Sequence, residues 1–478
     1  MSTKNIIGIS LSFVGLLVGA GFATGQEVVQ YFTSFGGWAI PGIIVAAIVM
    51  TLAGTVFLQL GSYFHAREHN QVFRSIAHPV VSKLLDIAVI LTLFCIGFVM
   101  LAGAGSNLEQ QFGWPTWIGS LAMLILVMLA GMLDVDKVSK VIGYLTPTII
   151  IAVIFAAIYT AFNMPDDVSA TMEASAQLDS PIGHWLVSAV NYNGLALMLA
   201  VSMTLVIGGD NISPREAGWG GIVGGIIYAI MMALAGFALL MNAETVGDSD
   251  IPMLEMFNDI SPILGYIMVV VIFLMIFNTA IGMFYALGKR LSSGHEGRYK
   301  VIFLTACVLG FGVSFVGFTT LMEYVYPVLG YMGMAMVAIL VFAWVRSTSQ
   351  IQDEAKRRER IRSLMTLKLH PEMRYDEDRY DDELGQHIAD SNMEDEELYE
   401  DLSSEVATKL DKDDDVDFSK EKHDKDHNDA SYYTERDNVK KDRSQEESHE
   451  WMEENDVTGD PEKDDEDADG SKDAADKK

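Results

Sequence analysis

Apolar residues run through the first 346 positions of this chain in long blocks separated by short polar stretches, and beyond them such blocks stop. About 20 helical residues are needed to cross a hydrocarbon core about 30 Å thick. Ten blocks qualify, with soft boundaries at 6–32, 38–64, 81–105, 116–133, 138–162, 186–209, 219–242, 263–288, 300–317 and 321–345. The first has no small-residue cleavage site after a short apolar core, and nine more follow it, so it reads as a retained span rather than a signal peptide. The pattern predicts an all-α polytopic membrane protein with ten transmembrane helices.

Span 1 departs from a plain apolar helix at "VGAGFATGQEVVQYF", residues 18–32. Gly19, Gly21 and Gly25 fall within seven residues and weaken the middle of the helix. Such a segment either packs closely against a neighbour through its small residues or opens where it is buried in protein or lines a wet cavity. If it opens around Gly19–Ala23, freed amides form a positive pole and freed carbonyls a negative one. Gly19, Ala20, Gly21, Phe22, Ala23, Thr24 and Gly25 are then candidate substrate contacts. Glu27 follows Gly21 by six residues, about 9 Å of helix, well inside the membrane. An ionisable group there defaults to a functional hypothesis. Its candidate roles are proton carriage, bracing of a broken neighbouring helix, or packing.

Span 6, "VNYNGLALMLAVSMTLVIGGD", places Tyr192 and Asn193 early and Ser202 and Thr204 near its midpoint. These are further candidate substrate contacts, and a self-satisfied structural network is the alternative. In span 8, "FNTAIG" sets Asn278 and Thr279 in an apolar helix. An amide and a hydroxyl there would serve coupling or bracing, although Thr also bonds its own helix. Ser106 and Asn107 at the end of span 3, and Glu323 near the end of span 10, read as a solvated rim.

An internal repeat joins these spans. Gly37-Trp38 recurs as Gly218-Trp219, Leu52-Ala53-Gly54 as Leu234-Ala235-Gly236, and Tyr144-x-x-Pro147 as Tyr324-x-x-Pro327, at offsets of 181, 182 and 180. Five spans separate the copies, an odd number, so the second is inverted in the membrane. Inverted repeats meeting at a midplane site are a recurring transporter architecture. Repeat one covers about 1–162 and repeat two about 186–346, with spans 1 and 6 in corresponding places.

Charge adds orientation. Residues 1–346 contain 12 Lys and Arg against 19 Asp and Glu, and all 12 cations fall on one side if ten spans alternate. Cations accumulate in cytoplasmic loops, so both termini are expected in the cytoplasm. Residues 347–478 contain 21 Lys and Arg against 45 Asp and Glu, a composition that predicts a disordered acidic tail. Arg346, Lys356, Arg357, Arg358, Arg360 and Arg362 open it with a basic cluster suited to anionic headgroups. Cys95 and Cys307 lie within spans and read as packing residues. No Walker loop and no His-Glu-x-x-His pattern occurs, which argues against ATP-driven pumping and zinc chemistry in this chain. No cofactor, no nucleic-acid partner and no enzyme activity are expected.

"VGAGFATGQEVVQYF", "FNTAIG" and "EYVYPVLGYMG" of span 10 resemble the YkvI-type bacterial membrane proteins. These are similar to the amino acid–polyamine–organocation superfamily with its LeuT-like fold. The resemblance spans nearly all of residues 1–346 and none of the tail. It implies a 5+5 inverted repeat, spans 1 and 6 unwound around a central site, alternating access, and the bacterial cytoplasmic membrane. It also implies a possible Na⁺ site at Gly19, Ala20, Ala23 and Thr279. Span 8 lacks the adjacent hydroxyl pair of sodium-coupled members, which favours proton coupling or uniport. The expectation is a secondary transporter of a small polar solute, an amino acid or related zwitterion or amine, seated among membrane lipids. The rivals are a ligand-sensing receptor on a transporter fold and a scaffold whose acidic tail holds a cytoplasmic partner.

Overall fold

The computed structural model describes residues 2–132, 145–292, 296–373, 375–413 and 416–421. The chain divides into two units, 1–356 and 357–478. The first unit opens with α1 (Thr3–Leu17), α2 (Ala20–Thr24) and α3 (Gln26–Tyr31), followed by α4 (Ala39–Tyr63), α5 (His69–Ile76), α6 (Pro79–Phe112), α7 (Thr116–Gly131) and α8 (Leu145–Phe162). After α9 (Val168–Ser175) come α10 (Trp185–Gly209), α11 (Pro214–Met241), α12 (Ala243–Val246), α13 (Pro252–Ile260), α14 (Pro262–Leu291), α15 (Tyr299–Ser314) and α16 (Phe318–Leu369). Among the described residues six helices are long and apolar enough to cross a membrane, and shorter apolar helices occupy the predicted spans 1, 4, 5 and 9. Residues 138–144, where span 5 was predicted to begin and where Tyr144 of the repeat lies, are outside the described residues.

Small residues set how closely the helices approach. In one group α1, α4, α10 and α11 pack together. Gly54 lies under the Phe13 ring, Gly220 against Ile9, and Gly221 and Gly225 against the main chain of Thr55 and Thr51. Ser10 Oγ donates to the Gly220 carbonyl at 3.0 Å. Apolar association is weak where the solvent is itself hydrocarbon, so close main-chain approach supplies the attraction. The second group is α6, α7, α14 and α15, where Phe284 fills the space beside Gly97 and Gly310. Ile40, Ile44, Ile48 and Leu52 form an exposed apolar stripe on α4 at helical spacing, a face suited to lipid.

Three expectations require correction. Span 1 is broken twice, but span 6 is one unbroken 25-residue helix, α10. Its Gly194 fits against the main chain of Gly330 and Gly333, and Asn191 Nδ2 donates to the Pro327 carbonyl at 3.0 Å. Glycine and asparagine there serve a tight crossing with α16 instead of unwinding the helix. Ser106 and Asn107 are 3% and 0% exposed, so neither is a solvated rim; Asn107 Nδ2 donates to the Val269 carbonyl at 2.9 Å.

The tail is the third. Much of its described part is helical: α16 runs on to Leu369, and α17 (Glu377–Ala389) and α18 (Asp395–Leu410) follow. Within this second unit Ile361, Leu364, Leu384, Leu398, Leu402 and Val406 are buried, an apolar set that net composition concealed. Three of the six residues of the basic cluster are engaged within this unit, Arg360 with Glu383 at 2.6 Å, Arg362 with Glu405 at 2.9 Å, and Arg358, which donates to Asn392 at 2.8 Å. Those three side chains are committed to protein partners. Hydrogen bonding from Arg360 also holds the Glu383 carboxyl below its ordinary value. Residues 422–478 lie outside the described residues.

Helix α5 links the two groups of the first unit, and its His69 is buried. Arg290 at the end of α14 pairs with Asp86 of α6 and donates to Asn70 Oδ1 at 3.1 Å. Burial first, and then the Arg290 charge, hold the His69 imidazole down to about 3, from an ordinary 6.5. The unfolded chain therefore takes up this proton first on acidification. Stability should be unaffected above about pH 6.5 and fall as pH drops from there toward 3, by up to about 1.4 kcal/mol per unit. The apparent melting temperature should fall further between pH 7 and pH 5 in the natural protein than in His69→Gln; equal falls would contradict this assignment.

Candidate functional site

Helix α1 ends at Leu17, where the Val18 amide still reaches Val14 at 2.9 Å and the Gly19 amide bonds Leu17 at 3.0 Å. Gly19 is extended, with φ −95° and ψ −170°, and α2 restarts at Ala20. One of its first-turn amides, that of Ala20, donates to Thr279 Oγ1 of α14 at 3.4 Å. Five residues later Gly25 adopts φ +80°, a left-handed conformation that glycine takes without steric cost. A Cβ there would lie 3.2 Å from the Met253 nitrogen and the Leu239 side chain, so position 25 excludes other residues twice over. The Gly25 amide closes onto Phe22 at 3.2 Å, Thr24 Oγ1 caps the Gly21 carbonyl at 2.8 Å, and α3 departs in a new direction.

The second break changes where Glu27 points. A continuous helix would carry it about 9 Å beyond Gly21; instead its carboxylate folds back into the space a Cβ on Gly21 would fill. Glu27 is 8% exposed. It hydrogen-bonds Tyr192 of α10, and the Tyr192 hydroxyl meets that of Tyr228 on α11 at 2.5 Å. Tyr192, 1% exposed, packs its ring against Tyr31 at 5.5 Å and Phe32 at 5.2 Å, while Phe22 lies 6.0 Å from Tyr228. Ser188 Oγ ties α10 to the Tyr31 carbonyl at 2.8 Å. A carboxylate and two hydroxyls thus form a buried chain from the broken span to the two helices beside it.

In the same stretch of sequence as Glu27, Gln26 Oε1, Gln30 Oε1, Tyr31 OH and Thr33 Oγ1 are buried with no hydrogen-bond partner among the described residues. Buried polar groups are overwhelmingly paired in folded proteins, so four orphans within eight residues mark an unusual stretch.

Of the predicted contacts, Gly21, Glu27 and Tyr192 come together, and Ala20 meets Thr279. The Thr279 contact goes to an amide, and the Gly19 carbonyl already accepts from Ala23 at 3.1 Å. This donor set fits helix capping better than an oxygen shell for Na⁺. Asn278 is half-buried with no side-chain partner among the described residues, and Ala23 is buried in α2. Asn193 bonds its own helix at Ala189, 2.9 Å. Ser202 lies ten residues past Tyr192, about 15 Å along α10, and Thr204 further still, with Oγ1 buried and unpartnered. No contact ties either to the Glu27 chain. Tyr228, Tyr31 and Ser188 were not predicted; a lone Tyr inside "GGIIYAIMMALAG" was the available signal for the first.

No family model matches the chain. It is 27% identical over 333 residues to the uncharacterized membrane protein YkvI of Bacillus subtilis strain 168, covering 70% of this chain and 94% of YkvI. Among solved structures, MhsT in complex with L-phenylalanine aligns at TM-score 0.54 with 17% identity over 74% of this chain and 92% of MhsT. Inward-facing Mhp1 aligns at 0.53 with 12% identity over 71% and 76%. The chain is similar to YkvI in sequence and to MhsT and Mhp1 in its LeuT-like fold. The interruption of span 1 falls where this LeuT-like arrangement was expected to carry it. The unbroken α10 is a departure from that expectation.

Gly21→Ala should destabilise the protein by about 1–3 kcal/mol, the range for overpacking a filled site. Because Glu27 is the group in the way, Glu27→Ala should relieve the clash: in a double-mutant cycle followed by thermal unfolding, the loss from Gly21→Ala should largely vanish on the Glu27→Ala background. An undiminished loss would mean that other atoms fill the space.

Proposed function

We propose that this protein is a secondary transporter of a small polar solute, an amino acid or related zwitterion or amine, working by alternating access of two inverted five-span repeats in the bacterial cytoplasmic membrane, with both termini in the cytoplasm. The single observation that carries the reading is the buried Glu27–Tyr192–Tyr228 chain at a doubly broken span. A carboxylate in a low-dielectric site is costly to keep charged. One that borders orphaned polar groups and bonds through hydroxyls is placed to exchange a proton as the solute enters and leaves. The solute's polar atoms would satisfy Gln26, Gln30 and Tyr31, and the first-turn amides of α2 would receive its anionic end. MhsT, which shares the fold, was captured with L-phenylalanine, consistent with an amino acid. Proton coupling is favoured over Na⁺ because Thr279 is engaged by the Ala20 amide.

Reconstituted in liposomes, the protein should accumulate a radiolabelled amino acid or amine under an inward proton gradient and not under a Na⁺ gradient alone. Glu27→Gln should lower gradient-driven uptake at least tenfold while solute exchange at equal pH persists. Absence of flux across a broad panel would overturn the transport reading, and unchanged proton drive in Glu27→Gln would overturn the role of Glu27.

The ordered second unit favours one alternative, a receptor or scaffold whose output passes through that unit. Removing residues 357–478 distinguishes them: a transporter should retain more than half its flux, whereas a receptor or scaffold would keep ligand binding and lose its cellular effect.

A further inference from the structure

We infer that the Ser106–Gln110 end of α6, together with the segment joining α11 to α14, forms a second site, one that binds a small organic cation bearing a primary ammonium group. A cavity of about 360 Å³ lies here, with four carboxylates on its wall, those of Glu109, Asp248, Asp250 and Glu255. No Lys or Arg occurs in residues 106–115 or 243–262, and among the described residues none of the four makes an ion pair.

The wall is built rather than incidental. Gln110 Oε1 accepts from the Ile251 amide at 3.0 Å and Ser249 Oγ at 2.9 Å, while its Nε2 donates to the Ile251 carbonyl at 3.2 Å and to Glu255 Oε2 at 3.0 Å. Asp250 Oδ1 accepts from Thr319 Oγ1 at 2.5 Å. Two carboxylates are thereby oriented by neutral donors, and their charge is left uncompensated. Independently, Ser106 lines the same cavity although it is 97% buried (3% exposed), and its hydroxyl has no hydrogen-bond partner among the described residues. That hydroxyl opens onto the cleft and is free to accept a hydrogen bond from a ligand seated there.

The chemistry selects the ligand class. An ammonium offers three donors and no acceptor, matching a wall of carboxylates and a hydroxyl. A bare Ca²⁺ needs six to eight oxygens at about 2.3–2.6 Å, whereas here two carboxylates are already hydrogen-bonded and the volume lies in the range of organic-ligand pockets, about 300–1,000 Å³. The inference concerns binding only and does not depend on transport through the Glu27 region.

Isothermal titration of the purified full-length protein with 1,4-diaminobutane at pH 7 and low salt tests it. Saturable binding is expected, with no heat from 1,4-butanediol. Affinity should fall at least tenfold in Glu109→Gln/Asp248→Asn, whose side chains are exposed and whose fold can be verified by circular dichroism. It should persist in Glu27→Gln, which separates this site from the central one. Absence of saturable binding, unchanged affinity in the double variant, or loss only in Glu27→Gln would overturn the inference. So would CaCl₂ binding that the diamine fails to displace, since the site would then be a divalent-metal site.

Discussion

Inside a hydrocarbon layer every main-chain amide and carbonyl must find a partner within the protein, and span 1 meets that demand while abandoning helical geometry twice. Most of the repair is local. Val18 and Gly19 bond back to Val14 and Leu17, Gly25 closes onto Phe22, and Thr24 lends a hydroxyl to Gly21. Help from outside comes at the Ala20 amide, from Thr279 of α14, and at the Tyr31 carbonyl, from Ser188 of α10. The position of Glu27, and with it the whole polar chain to Tyr228, depends on that arrangement.

The two halves of the proposed repeat use glycine for opposite ends. In span 1 glycines permit a turn and allow a carboxylate to lie on the main chain. In α10, α11 and α16 they let rods approach until backbones touch, as Gly194 does at Gly330 and Gly333, or Gly208 at Leu58. Both uses follow from the missing Cβ, and composition does not separate them. The central site is therefore asymmetric: one broken element carries the acid, and one intact helix holds a rigid tyrosine against it.

Acidic residues likewise divide by setting. Glu27 is a buried carboxylate partnered by a tyrosine hydroxyl, so its protonation state is the variable of interest. The carboxylates near Gln110 stand together at a wetter location, two of them fixed by neutral donors, so their shared charge is the feature a ligand would answer. In the second unit Glu383, Glu405 and Asp381 pair with Arg360, Arg362 and Lys368, and there they staple helices.

The sequence by itself determined a helical membrane chain, the placement of its apolar blocks, and span 1 as the place to look, because crossing a bilayer requires long unbroken hydrophobicity and "GAGFATGQE" violates it. Even the fold's kinship was legible there, and comparison with MhsT and Mhp1 agrees. What sequence left undecided was direction. A helix predicts distance along its axis, but the left-handed turn at Gly25 depends on space between Leu239 and Met253, which only packing creates, and it sends Glu27 back onto Gly21. Nor could composition reveal that the acidic tail orders as far as residue 421, since a few leucines at helical spacing and well-aimed ion pairs are invisible in a net charge. Span 6, expected from the resemblance to open, is instead clasped to α16 at Asn191 and Gly194, because whether small and polar residues loosen a helix or clasp a neighbour is settled by what lies opposite them.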